Sequence, residues 1–147
     1  MSAAPDTGAI LDQLGKLVRE LTRTSGGADD GQAMTSTQRI ALIEIADGGP
    51  LRLNDLAARI GTSAPTASRT VDVLDDLGLV VRRPDPDDRR AVRIELTRAG
   101  RELVDERKAR ASAAFEPAVA ALAVADRERL LNLLARMTDA LGPEAVS

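Results

Sequence analysis

The chain has 147 residues and a formal charge of −3, with 44% hydrophobic and 29% charged side chains, which fits one globular domain and excludes wholesale disorder. It holds no Cys, His, Trp or Tyr, and Phe115 is its lone aromatic residue. Disulfides, thiol switches, zinc sites, imidazole catalysis and aromatic base-stacking platforms are therefore excluded.

The first predicted helix runs from about Thr7 to Thr24, with Ile10, Leu14, Leu17, Val18 and Leu21 on one apolar stripe. Its polar face is not strongly basic, so the stripe reads as protein interface rather than membrane surface. No uncharged run exceeds nine residues, against the about 20 apolar residues that a membrane span needs. The N-terminus lacks a secretory pattern, and a cytoplasmic protein without a membrane partner is expected. Within this helix Gly15-Lys16 is not a phosphate loop, because Ile10 stands where its first Gly belongs.

A polar, Gly-rich linker spans Thr24 to Ala33. Thr35-Ser-Thr-Gln38 then reads as a capping box opening a helix that stops at Gly48-Gly49-Pro50. A short helix follows from Asn54, a candidate N-cap, to Gly61. Ser63 caps the next helix, where Ala64-Pro65 suits the first turn and Gly78 the C-terminal end. The stretches 79–83 and 91–96 are rich in β-branched residues and predict a hairpin whose charged tip is Pro84 to Arg90. Thr97 caps a long helix with Pro117 inside it, which predicts a kink. The last helix covers Asp126 to Leu141 and closes at Gly142-Pro143.

The expected fold is mainly α with a small β-hairpin wing. Residues 35–97 form a winged helix-turn-helix, flanked by a helix and linker in 1–34 and by helices in 98–147. Between Pro50 and Arg101 there are 10 Arg against 8 Asp or Glu, whereas the rest of the chain is acidic. Binding to a polyanion depends on where positive charge clusters, so the middle third points to a duplex partner. On the helix after Ser63, Ala67, Val71 and Leu74 define the buried stripe. The opposite face carries Pro65, Arg69, Asp72 and Asp76, flanked by Thr66 and Ser68. Asp72, Asp75 and Asp76 repel phosphate, which leaves the N-terminal half to face DNA: Ser63, Ala64, Pro65, Thr66, Ser68 and Arg69. At Ser63 a cap alone and a cap with phosphate contact are evenly balanced, and at Arg69 DNA contact outweighs an i, i+3 pair with Asp72. Asp85, Asp87 and Asp88 lack the pattern of a calcium loop and read as solvated wing residues.

The chain resembles the MarR family of transcriptional regulators. The resemblance rests on Leu53-Asn-Asp-Leu-Ala-Ala-Arg-Ile-Gly61, Ser63-Ala-Pro-Thr-Ala-Ser-Arg69, Asp72-Val-Leu74, Leu77-Gly-Leu-Val80, Asp85-Pro-Asp-Asp-Arg-Arg90 and Leu96-Thr-Arg-Ala-Gly100. It extends to the closing helix, although Ala123 stands where the family usually places a Thr or Ser cap.

The resemblance implies a homodimer, formed by the first and last two helices, carrying two winged helices onto double-stranded DNA with a palindromic operator. Repression is the family default. The family's cysteine-based peroxide sensing is excluded, and a small apolar or phenolic effector is compatible. No cofactor, metal or enzyme activity is expected. In the wing, Arg90 aligns with the arginine that the family inserts into the minor groove. In an extended hairpin neighbouring residues face opposite sides. That reading gives Arg89 a different contact and lets Asp88 hold the Arg90 guanidinium. The rival reading is a winged helix used for protein–protein contact without an operator.

Overall fold

A computed structural model describes residues 6–26 and 34–142. Most of the expected linker, residues 27–33, and Pro143 lie outside the described residues. The elements are α1 (Thr7–Gly26), α2 (Ser36–Gly48), β1 (Leu51–Arg52), α3 (Leu53–Arg59), α4 (Ala64–Asp76), β2 (Val80–Pro84), β3 (Val92–Leu96), α5 (Arg98–Ala120) and α6 (Val124–Ala140). They fall into two compact units: residues 34–110, and residues 6–25 with 111–142, so the division lies within α5.

The unit 34–110 is the winged helix. Thr35 Oγ1 accepts the Gln38 amide at 3.2 Å and the Gln38 side chain accepts the Thr35 amide at 2.9 Å, the expected capping box. The helix that it starts buries Ala41, Leu42 and Ile45 against Leu56 of α3, Val71 and Leu74 of α4, Val80 and Ile94 of the sheet, and Val104 of α5. Each of these side chains comes from one stripe of its element, so burying them fixes the rotation of α2, α3 and α4.

The sheet has three strands in the order β1-β3-β2, all antiparallel, where the sequence predicted a two-stranded hairpin. Leu51 is buried opposite Ile94, which keeps the chain extended through Arg52. In consequence α3 starts at Leu53 with Arg52 at its N-cap and no side-chain capping bond. Asn54 is inside the helix and is not its cap. At the other end of the lobe Gly78 takes φ 71°, as the end of α4 requires.

The second unit contains α1, the second half of α5, and α6. Pro117 does not end α5, which continues to Ala120. Ala123 caps α6 without a side-chain bond. Arg127 instead donates Nε to the Leu122 carbonyl at 2.9 Å and Nη2 to the Ala120 carbonyl at 3.1 Å. A guanidinium thus satisfies the carbonyls at the end of α5, where cations are favoured. Ile10 and Leu17 on α1, and Leu130, Leu134 and Met137 on α6, are each 40–45% exposed in the single chain. No described helix is long and apolar enough to cross a membrane.

Candidate nucleic-acid interface

Helix α4 is held by its apolar stripe. Ala67, Val71 and Leu74 are fully buried and Thr70 nearly so, and the Thr70 hydroxyl donates to the Thr66 carbonyl at 3.0 Å. This rotation leaves Ser63, Pro65 and Arg69 exposed and Ala64, Thr66 and Ser68 half-buried. Ser63 is the N-cap, as expected: its Oγ accepts the Thr66 amide at 3.3 Å and donates to Thr66 Oγ1 at 3.0 Å. Arg69 Nη2 donates to the same Thr66 Oγ1 at 3.5 Å. Residues three apart stand one above the other on a helix, so Ser63, Thr66 and Arg69 form one polar edge.

The first turn offers fewer open amides than a bare helix end. Pro65 has none, the Thr66 amide goes to Ser63 Oγ, and the Ala67 amide goes to the Ser63 carbonyl at 2.9 Å. Ser63 and Ala64 retain uncommitted amides among the described residues of this turn. An anion here meets those two amides and the side chains of Ser63, Thr66 and Arg69.

Asp72 does not pair with Arg69. Arg82 of β2 takes Asp72 Oδ1 at 2.5 Å and Asp75 Oδ2 at 3.2 Å instead.

The base of the wing contains a buried charge that sequence reasoning read as solvated. The Asp85 side chain is wholly buried. Its Oδ2 meets Arg52 Nε at 2.6 Å and Arg93 Nε at 3.0 Å, and its Oδ1 accepts the Asp87 amide at 2.8 Å. Arg93 also reaches Asp87 at 3.0 Å. The Asp87 amide, followed by the two guanidiniums, outweighs burial and holds the Asp85 carboxyl down at about 2. The same hydrogen bond with Asp85 raises the Arg52 guanidinium above its ordinary value. Asp87 and Asp88 are exposed, as expected.

The wing tip is a turn, not an extended strand. The Asp85 amide bonds to the Ala91 carbonyl at 3.0 Å, and the Ala91 amide bonds to the Asp88 carbonyl at 3.0 Å. Arg89 and Arg90 are the two central residues of that second turn, so the alternation expected of a strand does not apply to them. Asp88 Oδ1 accepts the backbone amide of Arg90 at 3.0 Å rather than its guanidinium. Asp88 therefore shapes the turn, as Asp does when it bonds two residues on. Both arginine side chains are exposed and, among the described residues, neither makes an ion pair.

A family model described as the MarR family matches residues 34–91. The transcriptional repressor NicR of Pseudomonas putida is 31% identical over 134 residues, which cover 88% of this chain and 85% of NicR. A MarR-like transcriptional regulator from Thermotoga maritima superposes with a TM-score of 0.73 at 27% identity, over 94% of this chain and 98% of that one. BpsR of Bordetella bronchiseptica, whose DNA binding is regulated by 6-hydroxynicotinic acid, superposes with a TM-score of 0.68 at 25% identity, over 95% and 97% of the two chains. The lobe, its wing and these similarities agree, and the chain belongs to the MarR family of transcriptional regulators.

Proposed function

We propose that this regulator is a sequence-specific DNA-binding repressor that acts as a homodimer on a palindromic operator and is released by a small apolar or phenolic ligand. The observation that carries the DNA reading is how the winged-helix unit uses its arginines. Arg52, Arg82, Arg83 and Arg93 are all bound to carboxylates inside the lobe. Arg39 and Arg101 reach the Met34 and Ala46 carbonyls, whereas Arg69 at the start of α4 and Arg89 and Arg90 at the wing tip have neither a carboxylate nor a backbone carbonyl partner for their side chains among the described residues. Cations left exposed while their neighbours are neutralised suit phosphate and groove contact. The first half of α4, Ser63 to Arg69, then enters the major groove, and the wing tip reaches the backbone and minor groove.

The apolar residues that α1 and α6 leave open support the homodimer, since such a surface is buried most simply against a second copy. Similarity to BpsR supports the effector.

Selection of bound duplexes from a random pool tests the reading. The expected product is a two-fold symmetric motif with half-sites about 10–10.5 base pairs apart. Failure to enrich any motif, with weak binding insensitive to salt, favours the protein–protein module.

A further inference from the structure

We infer that Arg82 is a positioning residue for DNA binding, which cancels and holds back the acidic half of the recognition helix without itself touching DNA. The inference rests on the DNA-binding reading above. Helix α4 carries one basic residue, Arg69, against Asp72, Asp75 and Asp76. Unscreened, these carboxylates oppose a polyanion at close range. Asp72 stands on the exposed face that carries Arg69.

Arg82 leaves the same face of β2 as the buried Val80, two residues earlier, at the point where the core gives way to solvent. From there its planar fork spans two carboxylates, Nη2 on Asp72 and Nη1 on Asp75. A lysine has a single point charge and does not reproduce that fork.

The clamp also decides the fate of Arg69. Asp72 lies three residues beyond Arg69, at pairing distance along the helix. With Asp72 held by Arg82, Arg69 keeps its guanidinium outward, bonded among the described residues only to the neutral Thr66 hydroxyl. Removing Arg82 therefore does two things: it exposes two negative charges and offers one of them to Arg69.

The test measures fluorescence anisotropy on a duplex selected by the wild-type protein and on a mixed-sequence duplex of the same length, at about 50 and 200 mM salt. Arg82→Ala is expected to bind both duplexes about tenfold more weakly at the lower salt, with the deficit shrinking at the higher. Arg83→Ala removes the same charge one residue away, from a pair with Glu95 at 3.2 Å. It is expected to stay within about threefold of wild type. Combining Arg82→Ala with Asp72→Asn and Asp75→Asn is expected to restore affinity to within about threefold of wild type. A purely structural strut leaves that triple variant as weak as Arg82→Ala, and a direct phosphate contact by Arg82 leaves it about tenfold weaker than Asp72→Asn/Asp75→Asn, with which the inference expects it to be level.

If Arg82→Ala is too unstable to purify, Arg82→Lys and Asp72→Asn/Asp75→Asn carry the test. The lysine variant is expected to be weaker than wild type, and the double Asn variant at least as tight. Arg82→Ala equal to wild type or to Arg83→Ala, an unrescued triple variant, or a weakened double Asn variant overturns the inference. A wild-type protein that binds neither duplex overturns the DNA-binding reading itself.

Discussion

The Cβ that Gly100 lacks would fall 2.0 Å from the carbonyl oxygen of Leu79, far inside van der Waals contact. That carbonyl is already engaged, accepting the Thr97 amide at 3.0 Å, while the Thr97 hydroxyl donates to the Gly78 carbonyl at 2.6 Å and accepts the Gly100 amide at 3.0 Å. The start of α5 is thus seated directly on the backbone between α4 and β2. Because the obstacle is backbone rather than a movable side chain, Gly100→Ala is expected to destabilise the protein by about 3 kcal/mol. Thermal unfolding checks this, and a variant as stable as wild type contradicts the packing described.

Asp85 supplies a pH dependence with a definite sign. Its folded-state value of about 2 lies below the ordinary 3.8, so its contribution is present above the ordinary value and is lost as pH falls from about 4 to about 2. Asp85→Asn is expected to be less stable than wild type at pH 7, because Arg52 and Arg93 lose their shared anion. The difference in urea midpoint narrows toward pH 2. A gap that stays constant from pH 7 to pH 2 is inconsistent with an ionised Asp85 at the wing base.

At the wing tip, the Asp88 carboxylate accepts a backbone amide, a task that an Asn side chain also performs. Asp88→Asn is therefore expected to keep the turn and bind DNA at least as well as wild type, having lost a negative charge. Asp88→Ala loses the turn and is expected to bind more weakly. Binding titrations of both variants on one duplex check this, and equal effects from the two argue against a turn-forming role.

Local chemistry made much of this legible in the sequence. The Thr35/Gln38 box, the Ser63 cap with Pro65 behind it, and the glycine after α4 each act within a few residues, and the structure places all three as read. Elements created by distant pairing were not legible. Strand β1 is two residues long and exists because Leu51 finds Ile94 more than forty residues away. Asp85 sits in an acidic run and reads as solvated, because its partners Arg52 and Arg93 approach only when the sheet forms. The Arg82 fork over Asp72 and Asp75 is likewise a product of β2 lying beside α4. Gly100 is visible as part of a motif, but its reason, the Leu79 carbonyl, is not.

The cap at Ser63 can be isolated from its side-chain volume. Ser63→Ala is expected to cost about 1 kcal/mol of stability and Ser63→Gly only a few tenths. The loss in Ala follows from the Thr66 amide that Ser63 now satisfies. Chemical denaturation of both variants checks the order, and Gly more destabilising than Ala contradicts it.

If Arg69 at the start of α4 and Arg89 and Arg90 at the wing tip face DNA, substituting Arg90 has the largest effect on binding. Affinity is measured for wild type, Arg89→Ala and Arg90→Ala on the selected duplex across a salt series. Wild type is expected to lose affinity steeply with salt, and Arg90→Ala to lose about 1–3 kcal/mol per subunit. Arg89→Ala should lose less and flatten the salt slope by about one. Arg90→Ala binding as tightly as wild type, or a wild-type affinity indifferent to salt, would contradict DNA contact by these arginines.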